Sequence, residues 1–323
     1  MSHPERLRLV IPSAPWTRAL EEKRIQIFGL SYEVRSDIDN APDRFIATHE
    51  ETSHVGENGV RRIALDVLAG KPGNALPVWF GREHMARNLI VRADSSLTHP
   101  RDLEGKRVGS RLTVQSGTGA AVLMIYELGY GVDLRTITWV MGDPASLPEN
   151  RMGLKLEPGA RSDEENFRQL LAGELDAVML TGDPRYWSLF GPDRIDQAIA
   201  GYSGLRPLIM DPEVVADVYR RTKLYPISDL VTIKADVATR MPEAPRQLLQ
   251  AFGQANGFAS DYRAPEEQQL AEREIGLLGE DPHVYGLTPD ARTNLAAFLD
   301  FLYRMGAIAR PLPPEELFEP SVR

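Results

Sequence analysis

The chain has no cysteine. Disulfides, thiolate metal ligands and cysteine nucleophiles are excluded together. The redox compartment stays open, because a cysteine-free chain is stable in either setting. Long apolar runs are also missing. No stretch reaches the roughly 18 residues that a membrane-spanning helix needs. The early apolar run from Leu7 to Pro12 is too short for the core of a secretory leader. With Met1 as the start, the expectation is a cytoplasmic protein. A chain trimmed of a leader would read the same and would be periplasmic. Positive charge is in deficit: 37 Lys and Arg stand against 46 Asp and Glu, a net charge of −9. That argues against nucleic-acid binding, which normally needs a basic face. A small anionic ligand is not excluded, since a local arginine cluster can oppose the global charge. No HExxH metal pattern, P-loop, internal repeat or low-complexity tract occurs, and no metal or cofactor is expected.

What is present suits a globular α/β protein. The 323 residues are too many for one ordinary core and natural for two domains. Leu7 to Ile11 reads as a first strand ending at Pro12, and residues 25–36 as a second strand region. Residues 41–70 show helical spacing broken by a polar turn at Gly56-Glu57-Asn58-Gly59. Ala75 to Phe80 and Asn88 to Arg92 read as short buried strands. LTHPRDLEGKRVGS (97–110) leads into a second α/β unit, with the apolar helix AAVLMIYELG and strands at 137–140 and 176–180. Residues 142–160 read as a loop. DPEVVADVYRRTKLYPISDLVTIKAD (211–236) runs from a helix through Tyr225-Pro226 into an apolar strand that re-enters the first unit. From residue 243 the chain is helical and is expected to pack on the first unit. Strands alternating with helices imply mostly parallel sheets.

Ligands in such sheets bind beyond the carboxyl ends of the strands, so the loops there supply candidates. After the first strand come Ser13, Trp16, Thr17 and Arg18. Trp16 can stack on an aromatic acid and Arg18 can pair with its carboxylate, or both can be packing and surface residues. Ser53 and His54 lie in a polar stretch, where a histidine is either a proton donor or a satisfied surface group. Arg82, His84 and Arg87 form the densest basic cluster, read either as an anion site or as a solvated turn. Ser116, Gly117 and Thr118 open a helix. Free amides and the helix dipole favour an anion there, and simple N-capping is compatible with that. Thr181, Gly182 and Asp183 follow a strand of the second unit, and Asp229 sits at the return crossing.

Several segments resemble the 4,5-dihydroxyphthalate decarboxylase group of the type 2 periplasmic-binding-protein superfamily. They are Thr17-Arg18-Ala19-Leu20, Ile137-Thr138-Trp139-Val140 with Gly142, and Leu171-Ala172-Gly173-Glu174-Leu175-Asp176-Ala177. Tyr219-Arg220-Arg221-Thr222 with Tyr225-Pro226-Ile227, Tyr285-Gly286-Leu287, the Phe301 to Gly306 helix end and Glu316-Leu317-Phe318 belong with them, as does Arg82, which falls where the group's strand-end loop has arginine; Asp102 to Gly109 is shared with a much wider set of binding proteins. One departure stands out: after Pro226-Ile227 the group tends to carry Met-His, and this chain carries Ser228-Asp229. The resemblance implies two α/β lobes with two crossovers and a central cleft. One lobe is expected at 1–97 and 226–323, the other at 98–225. It also implies cofactor-independent decarboxylation of a hydroxylated aromatic carboxylate. His54 and His84 are the candidate proton donors; Thr17, Arg18, Ser53, Arg82, Arg87, Ser116, Gly117, Thr118, Thr181, Gly182, Asp183 and Asp229 are the candidate ligand contacts. The alternative is a non-catalytic solute-binding protein for a small anionic or aromatic ligand, of the kind that serves an ABC transporter. Self-association into a homo-oligomer is left open.

Overall fold

The computed structural model describes residues 6–27, 29–36, 53–80, 82, 84–142, 147, 149–180 and 199–323. Thr181, Gly182 and Asp183 lie outside them.

Two sheets organise the chain. The first holds β1 (Arg6–Val10), β2 (Ser31–Arg35), β3 (Val55–Gly59) and, from much later in the chain, β10 (Asp229–Ile233). Its strand order is β10-β3-β1-β2. β1 is parallel to β2 and β3, and β10 runs antiparallel to β3. The strand after Tyr225-Pro226 therefore does return to the first sheet. The second sheet holds β4 (Leu89–Arg92), β5 (Arg107–Ser110), β6 (Thr138–Met141), β7 (Lys155–Pro158), β8 (Ala177–Met179) and β9 (Leu205–Pro207). Its six strands have the order β7-β6-β5-β8-β4-β9. β5 to β8 pair in parallel, and β4 is antiparallel to β8 and β9.

Three sequence expectations need correction. Gly56-Glu57-Asn58-Gly59 is not a turn but most of β3, a strand paired on both sides. Its neighbours' hydrogen bonds override the poor strand propensity of Gly and Asn. The 142–160 loop holds the edge strand β7, whose mostly exposed KLEP sequence carries no apolar alternation. β4 falls within the expected 1–97 segment yet belongs to the six-stranded sheet, so the chain passes between sheets before Leu89.

Burial explains the packing. The helix Gly117–Met124 has an almost wholly apolar sequence, and Gly119 to Met124 are all buried, as befits a helix covered on all sides. It continues as a π-helical turn, Ile125–Gly129. The helix Pro289–Met305 buries a broad stripe: Ala291, Asn294, Leu295, Phe298, Leu299, Phe301, Leu302 and Met305. So wide a stripe needs more than one partner. The helix Ala244–Gly257 packs on the short helix Arg18–Glu21 of the first lobe, as expected. Pro265–Leu278 instead packs on the helix Pro212–Thr222, and Pro289–Met305 packs on Gly117–Met124. The C-terminal helices thus brace both lobes: Pro289–Met305 shares an apolar core with the helix Gly117–Met124, and Ala244–Gly257 shares a separate one with β1.

The chain's end closes the first sheet. Leu76 donates to Val231 and Val231 to Val78, which lays residues 74–78 along β10. Ala75 then pairs with Phe318 on its other side. Gly73 permits this approach, because a β-carbon there would lie 2.2 Å from the Glu316 carbonyl oxygen. Gly73→Ala is expected to displace that seam and lower unfolding free energy by about 1–3 kcal/mol. Urea denaturation measures it; an unchanged midpoint would contradict the packing described.

Candidate functional site

The carboxyl ends of the parallel strands define where a ligand can be held. In the first sheet these ends are Val10, Arg35 and Gly59, with Asp229 the register partner of Gly59. In the second they include Ser110, Met141 and Met179, beside the start of antiparallel β4. The two edges meet at Ser228-Asp229. Val60, the first residue of the helix Val60–Leu68, donates its amide to the Ser228 carbonyl at 2.8 Å. A β-carbon placed on Gly117 would lie 3.4 Å from Ser228 Cβ and 3.7 Å from Asp229 Oδ1. One placed on Gly59 would lie 3.5 Å from the same Oδ1. Two helix starts, one from each lobe, therefore converge on one carboxylate.

Local sequence builds this junction. Ser116 caps its helix by accepting from the Gly119 amide at 3.0 Å, and its carbonyl accepts from Ala120. A helix start has several amides without an intrahelical acceptor. With Gly119 capped, those of Gly117 and Thr118 have no acceptor among the described residues, and Ser116 to Thr118 are all partly exposed. Ser228 is buried and its hydroxyl donates to Asp229 Oδ2 at 2.6 Å, fixing the carboxylate. Ser116, Gly117, Thr118 and Asp229 are thus brought together.

The other expected residues are placed differently. Thr17 is fully buried; its hydroxyl donates to the Pro12 carbonyl at 2.6 Å and accepts from Ala14. It shapes the loop after β1 rather than facing a ligand. Arg18 is exposed and pairs with Glu22 at 3.5 Å. Ser53 and His54 precede β3, at the opposite end of that strand from Gly59, and His54 sits beside Arg8 in the middle of β1. The His54 Nδ1 accepts the Arg8 amide at 2.9 Å, a structural bond in the sheet. Arg87 lies in the turn Ala86–Asn88, on the carboxyl edge of the six-stranded sheet, where the Asn88 carbonyl accepts from Leu180. Arg111, the first residue after β5, was missed from sequence; it is partly exposed on the same edge and its Nε donates to Asp163 at 2.9 Å. Its position just past a strand end was the available signal.

Arg82 and His84 belong to the crossings. Arg82 is buried, and its guanidinium donates to the Tyr225 carbonyl at 2.8 Å, to the Pro282 carbonyl and to Asp290 at 2.7 Å. The expected ligand anchor is a strut between the two passages of the chain. Asn294 completes the joint: its Oδ1 accepts the Tyr225 amide at 2.6 Å and its Nδ2 donates to the Lys223 carbonyl at 2.9 Å. The His84 ring packs edge-on to Tyr225, centroids 6.0 Å apart. Neither of its nitrogens has a hydrogen-bond partner among the described residues, and burial pushes the imidazole down to about 3. The Tyr225 hydroxyl donates to Glu274 Oε1. Burial pushes the Glu274 carboxyl up to about 7, with the Tyr225 hydrogen bond acting against the shift. His283, also against Tyr225, is held down at about 4, first by burial. Among the described residues no group of three or more acidic, histidine or cysteine side chains could hold a metal ion.

No protein-family model matches the chain. The 4,5-dihydroxyphthalate decarboxylase of Comamonas testosteroni is 32% identical over 269 residues, which covers 77% of this chain and 77% of that protein. The chain belongs to the 4,5-dihydroxyphthalate decarboxylase family. Solved structures agree on the fold. The periplasmic aliphatic sulphonate binding protein SsuA from Escherichia coli aligns with a TM-score of 0.56 at 14% identity, covering 99% of each chain. A cysteine-to-serine mutant of DSZB in complex with biphenyl-2-sulfinic acid aligns with a TM-score of 0.53 at 15% identity, covering 98% of this chain and 96% of that one. At these identities the likeness concerns the fold alone, the two-lobed periplasmic-binding-protein fold.

The Glu274 environment of this family member makes stability depend on pH. The folded state holds the Glu274 proton up to about 7, whereas an ordinary Glu releases it near 4.5. Between those values the folded state binds more protons, so this group lowers stability as pH rises through that window. Glu274→Gln keeps an acceptor for Tyr225 and removes the titration. Thermal melts should match wild type near pH 4.5 and show the variant more stable near pH 8.5, by on the order of 3 kcal/mol. Parallel curves for the two proteins would contradict a buried, proton-holding Glu274.

Proposed function

We propose that this protein decarboxylates a hydroxylated aromatic carboxylate, without a cofactor, in the cleft between its lobes. The observation that carries the reading is the 32% identity to a 4,5-dihydroxyphthalate decarboxylase across 77% of the chain. The junction suits the substrate class. Helix-start amides, Asp229, and the edge arginines Arg87 and Arg111 offer both hydroxyl and carboxylate partners. A phenolic oxygen pushes electrons into the ring, the ring carbon that bears the carboxylate takes a proton, and carbon dioxide leaves.

The reaction needs a proton donor. His84 is the residue we assign to it, in preference to His54. His54 is tied to the Arg8 amide at the far end of β3. His84 lies two residues before the Ala86–Asn88 turn at the cleft edge, with neither nitrogen engaged among the described residues. A buried polar group without a partner is the kind that a ligand satisfies. Burial keeps His84 neutral in the free protein. A bound dianion nearby would raise its pKa toward the working range.

A second reading, a solute-binding protein for a small anionic or aromatic ligand, is favoured by the fold likeness to SsuA. Carbon dioxide release from a panel of hydroxylated aromatic acids separates the two. Wild type is expected to release carbon dioxide, and His84→Gln to lower kcat by about 10²–10⁴ while substrate binding changes little. Tight binding of an aromatic acid by wild type with no carbon dioxide released would remove the enzyme reading and leave the binding protein.

A further inference from the structure

We propose that Arg61 is an anion anchor of the cleft and takes the carboxylate of a bound aromatic acid. The inference rests on reading this cleft as the ligand site. Arg61 is the second residue of the helix Val60–Leu68, which starts directly after β3, at the carboxyl edge of the first sheet. The start is pinned there, since the Val60 amide donates to the Ser228 carbonyl at 2.8 Å. Helical side chains lean toward the helix N-terminus, so Arg61 leans toward that edge. It was missed from sequence, where Arg61-Arg62 looks like one solvated basic pair.

The fold treats the two arginines differently. Arg62 is exposed and pairs with Asp66 at 3.4 Å. Arg61 is half-buried, its Nε is shielded from solvent, and its guanidinium has no hydrogen-bond or ion-pair partner among the described residues. Burial holds it below the ordinary arginine range, and no nearby charge acts the other way. Other shielded arginines are engaged: Arg82 with Asp290, Arg151 with Glu149 and Arg304 with Glu127. The helix adds a further cost. Its first turn holds no acidic residue, and a cation there stands against the positive end of the helix dipole. Arg61 is thus partly desolvated, unpaired and opposed by its own helix. An anion at this edge offsets all three costs. A carboxylate suits best, because the planar guanidinium can meet both of its oxygens side by side.

Isothermal titration with catechol and 3,4-dihydroxybenzoate tests the assignment, since the two differ only in the carboxylate. Wild type should bind the acid at least about tenfold tighter than catechol. Arg61→Gln should weaken acid binding by about 10–100-fold and leave catechol within about threefold. Arg61→Lys keeps the charge but loses the fork, and its acid affinity should fall between the two. Neither variant should lower the melting temperature of the unliganded protein, because no protein partner is lost. Unchanged acid binding in Arg61→Gln overturns the proposal. So does an Arg61→Gln protein that melts lower and loses both ligands alike, which would make Arg61 a structural residue. Wild type binding the two ligands equally, or binding neither, also overturns it. Carbon dioxide is not read in this titration. A wild type that prefers the acid but releases no carbon dioxide loses the decarboxylase reading and keeps this one.

Discussion

Asp290 and Asn294, four residues apart on the helix Pro289–Met305, hold both passages between the lobes. Asp290 receives Arg82 from the first passage; Asn294 bonds Lys223 and Tyr225 from the second. The Arg82 side chain is 2% exposed and that of Asp290 24%. Desolvation offsets much of the attraction in such a pair, so its contribution lies in geometry more than in net stability. With Tyr225 fixed, Ser228-Asp229 three residues later is fixed against the helix start at Gly117. The cleft's most distinctive group therefore depends on a joint made by the last long helix of the chain. That helix also shares a continuous apolar core with the second lobe, so any bending at the crossings has to carry it along.

Two ionisable groups at the joint are strongly perturbed. Burial keeps His84 neutral above about 3 and Glu274 protonated up to about 7. The two act oppositely on stability. An ordinary His is protonated below 6.5, so holding His84 neutral lowers stability as pH falls from there toward 3. Glu274 lowers it as pH rises from 4.5 toward 7. In the overlap their slopes oppose each other. In mildly acid solution His84 and Glu274 are therefore both uncharged, beside the Arg82–Asp290 ion pair.

The fold was legible in the sequence wherever apolar residues recur with a regular period. Leu7, Leu9 and Ile11 announced β1, and AVLMIYELG announced a buried helix. The return of residues 229–233 to the first sheet followed from a helix running through Tyr225-Pro226 into an apolar strand. β3 was not legible, because VGENG has no strand signature and owes its conformation to neighbours distant in sequence. β7 was missed for a similar reason, as an exposed edge strand with no apolar face. Among site residues, the Ser116–Thr118 helix start could be read from local capping chemistry. The fate of Arg82 could not. Whether an arginine meets a ligand or a protein carboxylate depended on Asp290, 208 positions away.

A crystal structure of the protein with 3,4-dihydroxybenzoate bound tests this assignment of the cleft most directly. The ligand carboxylate is predicted to lie within about 2.7–2.9 Å of the Arg61 guanidinium nitrogens. A His84 nitrogen should lie within about 3.2 Å of the ligand, directly or through one water. A ligand bound elsewhere, with Arg61 still unpaired and His84 remote from it, would contradict it.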